Sequence, residues 1–85
     1  MAWEVYMLEC ADGTLYTGIA TDPERRLKVH NSGRGAKYVR GRLPAVIRYR
    51  EILPDKGAAL SRECAIKGLS RKEKLELIRE YKEKA

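Results

Sequence analysis

Three side chains within one short stretch have the chemistry to hold and break a phosphodiester. In LYTGIATDPERRLKVHNSG, Leu15 to Gly33, Tyr16 lies among strand formers, and Arg26 and His30, four positions apart, share one side of a helical segment. Arginine grips phosphate in a planar fork, histidine exchanges a proton near neutral pH, and tyrosine offers a hydroxyl that donates or accepts. Such a group permits that chemistry without proving it. Further on, Glu63 falls between Ala59, Leu60 and Ile66 on the apolar side of a second helical segment. A carboxylate there is costly unless it is paired with a base or binds a metal, and the pattern leaves both open.

The elements that must position these groups follow from periodicity and punctuation. WEVYMLEC, residues 3–10, alternates as a strand: Trp3, Val5, Met7 and Glu9 on one face, Glu4, Tyr6, Leu8 and Cys10 on the other. Neither face is purely polar, so both are expected to be covered. Asp12-Gly13 is a hairpin signal, and residues 14–20 return antiparallel, with Gly18 allowing a close approach. The relative faces of Tyr6 and Tyr16 are not fixed by the sequence.

Asp22 as N-cap, Pro23 at the first helical position and Gly33 as a left-handed stop predict a helix near 23–32. RGAKYVRGRLP, residues 34–44, reads as a basic loop or short helix. Residues 45–53 alternate as a third strand, Val46, Arg48, Arg50 and Ile52 against Ile47, Tyr49, Glu51 and Leu53. Asp55 opens a helix to about Gly68, with Arg62 on a solvated flank. Ser70 to Glu73 is a capping box for a last helix over 71–84. The order is ββαβαα: an α+β fold, a small three-stranded antiparallel sheet flanked by helices, in one domain over 1–85.

Charge is unevenly spread along the 85 residues. Residues 1–24 carry five acids and no Lys or Arg, residues 25–50 nine bases and no acid, and residues 51–85 nine bases and seven acids. The middle segment is an electrostatic footprint for a polyanion. No stretch approaches the ~18 apolar residues of a membrane span, so a cytoplasmic chain without membrane contact is expected. Cys10 and Cys64 follow no metal-ligand spacing and read as reduced, small buried hydrophobes.

Tyr6, then Tyr16-Thr17-Gly18, then Arg26 and His30, then Glu63 together resemble the GIY-YIG nuclease domain, from about Trp3 to Leu77. The likeness is nearest to its small stand-alone bacterial members, through LYTGIATDPERRLKVHNSG, GAKYVR and AALSRECAIKGLSRKEKLEL. Val5-Tyr6-Met7 stands where the motif has Gly-Ile-Tyr, Val39 replaces a Thr, and no Asn follows Glu63.

The resemblance implies a metal-dependent DNA endonuclease of low sequence specificity, with DNA structure selecting the site, in DNA repair or processing. It implies catalytic roles for Tyr6, Tyr16, Arg26, His30 and Glu63, either tyrosine being the general base. Glu63 would anchor one Mg²⁺ or Mn²⁺, and Arg25, Lys28, Arg34, Lys37, Tyr38, Arg40 and Arg42 would contact DNA. The alternatives are a DNA-binding module of the same fold with little or no cleavage, and a protein-interaction domain. Oligomeric state and protein partners stay open. The nuclease reading requires Tyr6, Tyr16, Arg26 and Glu63 to converge on one cleft.

Overall fold

The computed structural model describes residues 2–84. The N-terminal strand, β1 (Trp3–Glu9), has two apolar faces, and the sheet uses both by placing it in the centre. It pairs antiparallel with β2 (Leu15–Ala20) on one side and β3 (Val46–Leu53) on the other. Four helices complete the chain: α1 (Pro23–Asn31), α2 (Lys37–Arg40), α3 (Lys56–Lys67) and α4 (Arg71–Lys84). The expected three-stranded α+β architecture is therefore present, and α2 is the short helix of the basic stretch.

Each face of β1 supports its own core. Val5 and Met7 pack with Tyr49, Ala59 and Ile66, joined by Leu77, Ile78 and Tyr81, so α3 and α4 cover this face. Tyr6, Leu8 and Cys10 pack with Val39 and Ala45, joined by Leu27 and Ala36, so α1 and α2 cover the other. Side-chain caps set the helix starts. Asp22 accepts from the Arg25 amide at 3.2 Å, Asp55 from Ala58 at 2.8 Å, and Ser70 and Glu73 bond reciprocally at 3.0 and 3.1 Å.

Three expectations change. Strict alternation puts Ile47 and Tyr49 on one face, but the register against β1 shifts between Met7 and Leu8, which leaves Arg48 as an extra residue. Tyr49 joins the core under α3 and α4, and Ile47 the core under α1 and α2. Arg62 is not a free solvated cation: its Nε pairs with Glu51 at 2.9 Å. Both cysteines are free thiols as expected, but only Cys10 is buried and Cys64 is exposed.

Candidate active site at the sheet edge

Register decides which tyrosines meet. The β1–β2 pairing centres on Asp12, with Tyr6 opposite Gly18 and Leu8 opposite Tyr16. A turn centred between Asp12 and Gly13 would slip the pairing by one residue and send Tyr16 to the other face. In the actual register both rings lie on the α1 side, with centroids 6.5 Å apart. Gly18 lets the Tyr6 ring lie across β2: a Cβ there would meet the Tyr6 hydroxyl at 2.8 Å and its Cζ at 2.9 Å. The hydroxyl is thereby carried toward the outer strand of the sheet.

His30, at the end of α1, is sealed from solvent and hydrogen-bonds the Tyr6 hydroxyl through Nε2 at 3.0 Å. Its Nδ1 accepts the backbone N–H of Ala36 at 3.3 Å. That bond requires Nδ1 to be unprotonated, so Nε2 carries the proton and donates to the Tyr6 oxygen. Gly35 fits against the imidazole, since a Cβ there would lie 2.2 Å from Nδ1. The segment after α1 thus locks the histidine, a role the sequence did not signal beyond the presence of a glycine. Tyr16 stands edge-on to His30 at 5.4 Å and stacks against Tyr38 at 6.3 Å.

Arg26 and Glu63 come from helices on opposite faces of the sheet, α1 and α3. The cleft that Arg26 lines does not include Tyr6, Tyr16 or Glu63, so it does not bring together the four residues expected to converge; both charges bear on the proton affinity of the Tyr6 hydroxyl. Burial pushes the Tyr6 hydroxyl up to about 12; the neighbouring Tyr16 and the Glu63 carboxylate push it the same way, and the Arg26 guanidinium opposes them. Burial, and then Arg26, hold His30 below its usual value and keep it neutral. Arg26 is exposed, forms no ion pair among the described residues, and opens with Arg25 and Asp22 onto a cleft of about 290 Å³. A larger cavity of about 380 Å³ lies away from these groups, between β3 and α4, and its Arg62 is committed to Glu51.

The Glu63 side chain is 18% exposed, and its one ionic partner among the described residues is the exposed Lys67, 3.3 Å away on the next turn. The residues Ala59 and Ile66 around it are buried, whereas Leu60 is exposed, so the stripe is less enclosed than the sequence suggests. Among the described residues, no group of three His, Cys, Asp or Glu is placed to cage a metal. Glu63 is a single carboxylate with an exposed partner, a donor suited to a hard divalent cation that keeps most of its waters.

Of the expected DNA contacts, Arg25, Lys28, Arg34, Lys37 and Arg40 are exposed and form no ion pair among the described residues. Arg42 is engaged: it pairs with Asp12 at 3.1 Å and lies over the Tyr38 ring at 4.4 Å. Arg40 donates through Nε to the Gly35 carbonyl at 3.1 Å and so braces the segment behind His30.

A model of the GIY-YIG catalytic domain matches residues 2–76. The chain belongs to the GIY-YIG family. Its relatives include a UPF0213 protein of Streptococcus sanguinis, 49% identical over 95% of this chain and 93% of that one. Another, from Halobacterium salinarum, is 53% identical over 82% of this chain and 91% of its own. Two solved structures share the fold of this chain. The solution structure of a UPF0213 protein from Bacillus halodurans is 47% identical, with a TM-score of 0.60 over 93% of this chain and 84% of that one. A protein from E. faecalis is 38% identical, with a TM-score of 0.64 over 95% and 86%. Membership of this nuclease family implies a nucleic-acid substrate, and its nucleases generally use a divalent metal. No helix of the described residues is long and apolar enough to cross a membrane.

Proposed function

We propose that this chain is a divalent-metal-dependent DNA endonuclease that cuts phosphodiesters with little base preference. The observation that carries the reading is the Tyr6 hydroxyl, which receives a hydrogen bond from His30 with the Tyr16 ring beside both, in a chain that matches the GIY-YIG catalytic domain. In this reading Tyr6 is the general base. Its oxygen accepts from His30, so its own proton points elsewhere; burial opposes loss of that proton to water, and the phenolate would need the Nε2–H, the Arg26 charge and a bound divalent cation to offset burial.

His30 orients Tyr6 through that hydrogen bond; both side chains are enclosed, and the gap at Gly18 is what carries the Tyr6 hydroxyl toward the outer strand. Arg26 clamps the scissile phosphate and stabilises the charge that develops on its oxygens. Tyr16 supports both rings and presents its hydroxyl to the substrate strand. Glu63 would hold one Mg²⁺ or Mn²⁺, releasing Lys67, a partner weak enough to yield because it is exposed. The bound ion would supply Lewis acidity at the phosphoryl group. A role in DNA repair or processing accords with structure-selected cutting.

The test is cleavage of duplex, branched and single-stranded DNA with Mg²⁺ or Mn²⁺. Glu63→Gln keeps shape but removes charge and should abolish cutting while DNA binding survives. Arg26→Lys keeps charge but loses the fork and should lower the rate by ~10²–10³. A Glu63→Gln protein cutting at the wild-type rate overturns the assignment, and the binding module of the same fold takes its place.

A further inference from the structure

A second cleft, of about 190 Å³, opens where the β1–β2 turn meets the start of α4, lined by Thr14, Leu15, Tyr38, Arg71 and Lys74. Tyr38 joins it to the site described above, because its ring stacks at 25° to Tyr16, itself beside Tyr6. The ring is held in place. Arg42 covers it at 4.4 Å and donates through Nη1 to the Tyr38 carbonyl at 2.7 Å, yet Tyr38 remains 46% exposed.

Arg71 is braced toward the cleft by a 3.0 Å bond from Nη2 to the Gly13 carbonyl. Neither Arg71 nor Lys74 forms an ion pair among the described residues. Two acids beside the cleft in sequence are already engaged: Asp12 accepts from Thr14 and pairs with Arg42, and Glu73 accepts from the Ser70 amide.

We propose, resting on the nuclease reading, that this cleft seats a nucleotide adjoining the scissile one, with its phosphate on Arg71 and Lys74 and its unpaired base against Tyr38. Two cations without acidic partners in a concavity are complementary to a phosphate. An aromatic ring already fixed by its neighbours gives a base a stacking surface at little entropic cost. A base still stacked in a duplex cannot enter a cleft of this size. The substrate class is therefore DNA whose strand is unpaired beside the cut: a single strand, a flap or a junction arm.

The experiment is fluorescence anisotropy in EDTA, titrating wild type and variants into a labelled single-stranded oligonucleotide and into a duplex of equal length. Tyr38→Ala should weaken single-strand binding about tenfold and duplex binding less than about twofold. Arg71→Ala with Lys74→Ala should weaken single-strand binding about tenfold and lower the log–log salt slope by about 0.7. Arg71 also anchors the turn, so Lys74→Glu, where the side chain forms no hydrogen bond among the described residues, repeats the test wherever the melting temperature of the double variant falls. Single-strand affinity within twofold of wild type in these variants, or equal losses on both DNAs for Tyr38→Ala, overturns the proposal. A protein that binds as expected but never cuts removes the nuclease reading and supports the cleft. One that cuts but whose affinity ignores Tyr38, Arg71 and Lys74 removes the cleft and leaves the nuclease.

Discussion

His30 lies between a donor it must accept from, the Ala36 amide, and an oxygen it must donate to, on Tyr6. A second ring proton would face the Ala36 N–H and break the first bond. Burial and Arg26 already depress its proton affinity below the ordinary 6.5. The sign follows. Above pH 6.5 the imidazole is neutral in both folded and unfolded chains, and its contribution to stability is fully present. As pH falls below 6.5 the unfolded chain takes up a proton that the folded one refuses, so stability drops, with a limiting slope of about 1.4 kcal/mol per pH unit. Urea denaturation of wild type and His30→Gln between pH 7.5 and 5.5 should show the wild type losing stability faster as pH falls. A pH-independent difference between them would contradict this. Tyr6 works at the other end: with its folded value raised to about 12 from 10.0, stability is kept up to pH 10 and lost above it.

At the scale of elements, β2 contributes an absence. Gly18 is the gap through which the Tyr6 ring crosses the strand, and Gly18→Ala would place a Cβ 2.8 Å from the hydroxyl and 3.1 Å from Cε2 of Tyr16. Displacing packed rings costs ~1–3 kcal/mol, and the Tyr6–His30 bond would be lost with them. The variant should therefore be destabilised and cut at least ~10²-fold more slowly. Gly41→Ala is the control, since its Cβ meets nothing within 4 Å. If both substitutions behave alike in melting and cleavage, Gly18 is not the gate described. The end of α1 is fixed in a related way. Asn31 accepts from the Ala45 amide at 2.8 Å and donates to its carbonyl at 3.0 Å, tying the helix that carries Arg26 and His30 to the start of β3.

Across the whole molecule, the acidic first segment and basic middle segment partly cancel. Arg42, Arg48 and Arg50 pair with Asp12, Glu9 and Glu4, all on or beside β1. Among the described residues, Arg25, Arg26, Lys28, Arg34, Lys37 and Arg40 form no ion pair, so on the proposed function these six, and not all nine bases of the middle segment, face the polyanion. DNA affinity should fall steeply with salt. Arg34→Ala or Lys37→Ala should each flatten the log–log slope on duplex by up to about 0.9, whereas Arg48→Ala combined with Glu9→Ala should leave it within about 0.3. A salt-independent affinity would make the basic segment incidental, and an equal response at Arg48 would place the DNA on the sheet face.

The sequence by itself determined the elements and the family. Asp22, Asp55 and Ser70 with Glu73 mark helix starts because a capping side chain acts within three residues, and the two-faced apolar pattern of β1 already implied that both its faces are covered. The ordered set Tyr6, Tyr16, Arg26, His30 and Glu63 pointed to the nuclease family. Only the tertiary structure decided that Tyr6 and Tyr16 share a face, because the outcome turns on a one-residue choice of register at Asp12. The bulge at Arg48, the pairing of Arg62 with Glu51, and the lock that Gly35 and the Ala36 amide place on the His30 imidazole are likewise decided by contacts between elements. Local sequence specifies dihedrals, caps and periodicity. Which charge meets which hydroxyl around the edge of a sheet depends on how segments distant in the chain pack, and no local pattern encodes that.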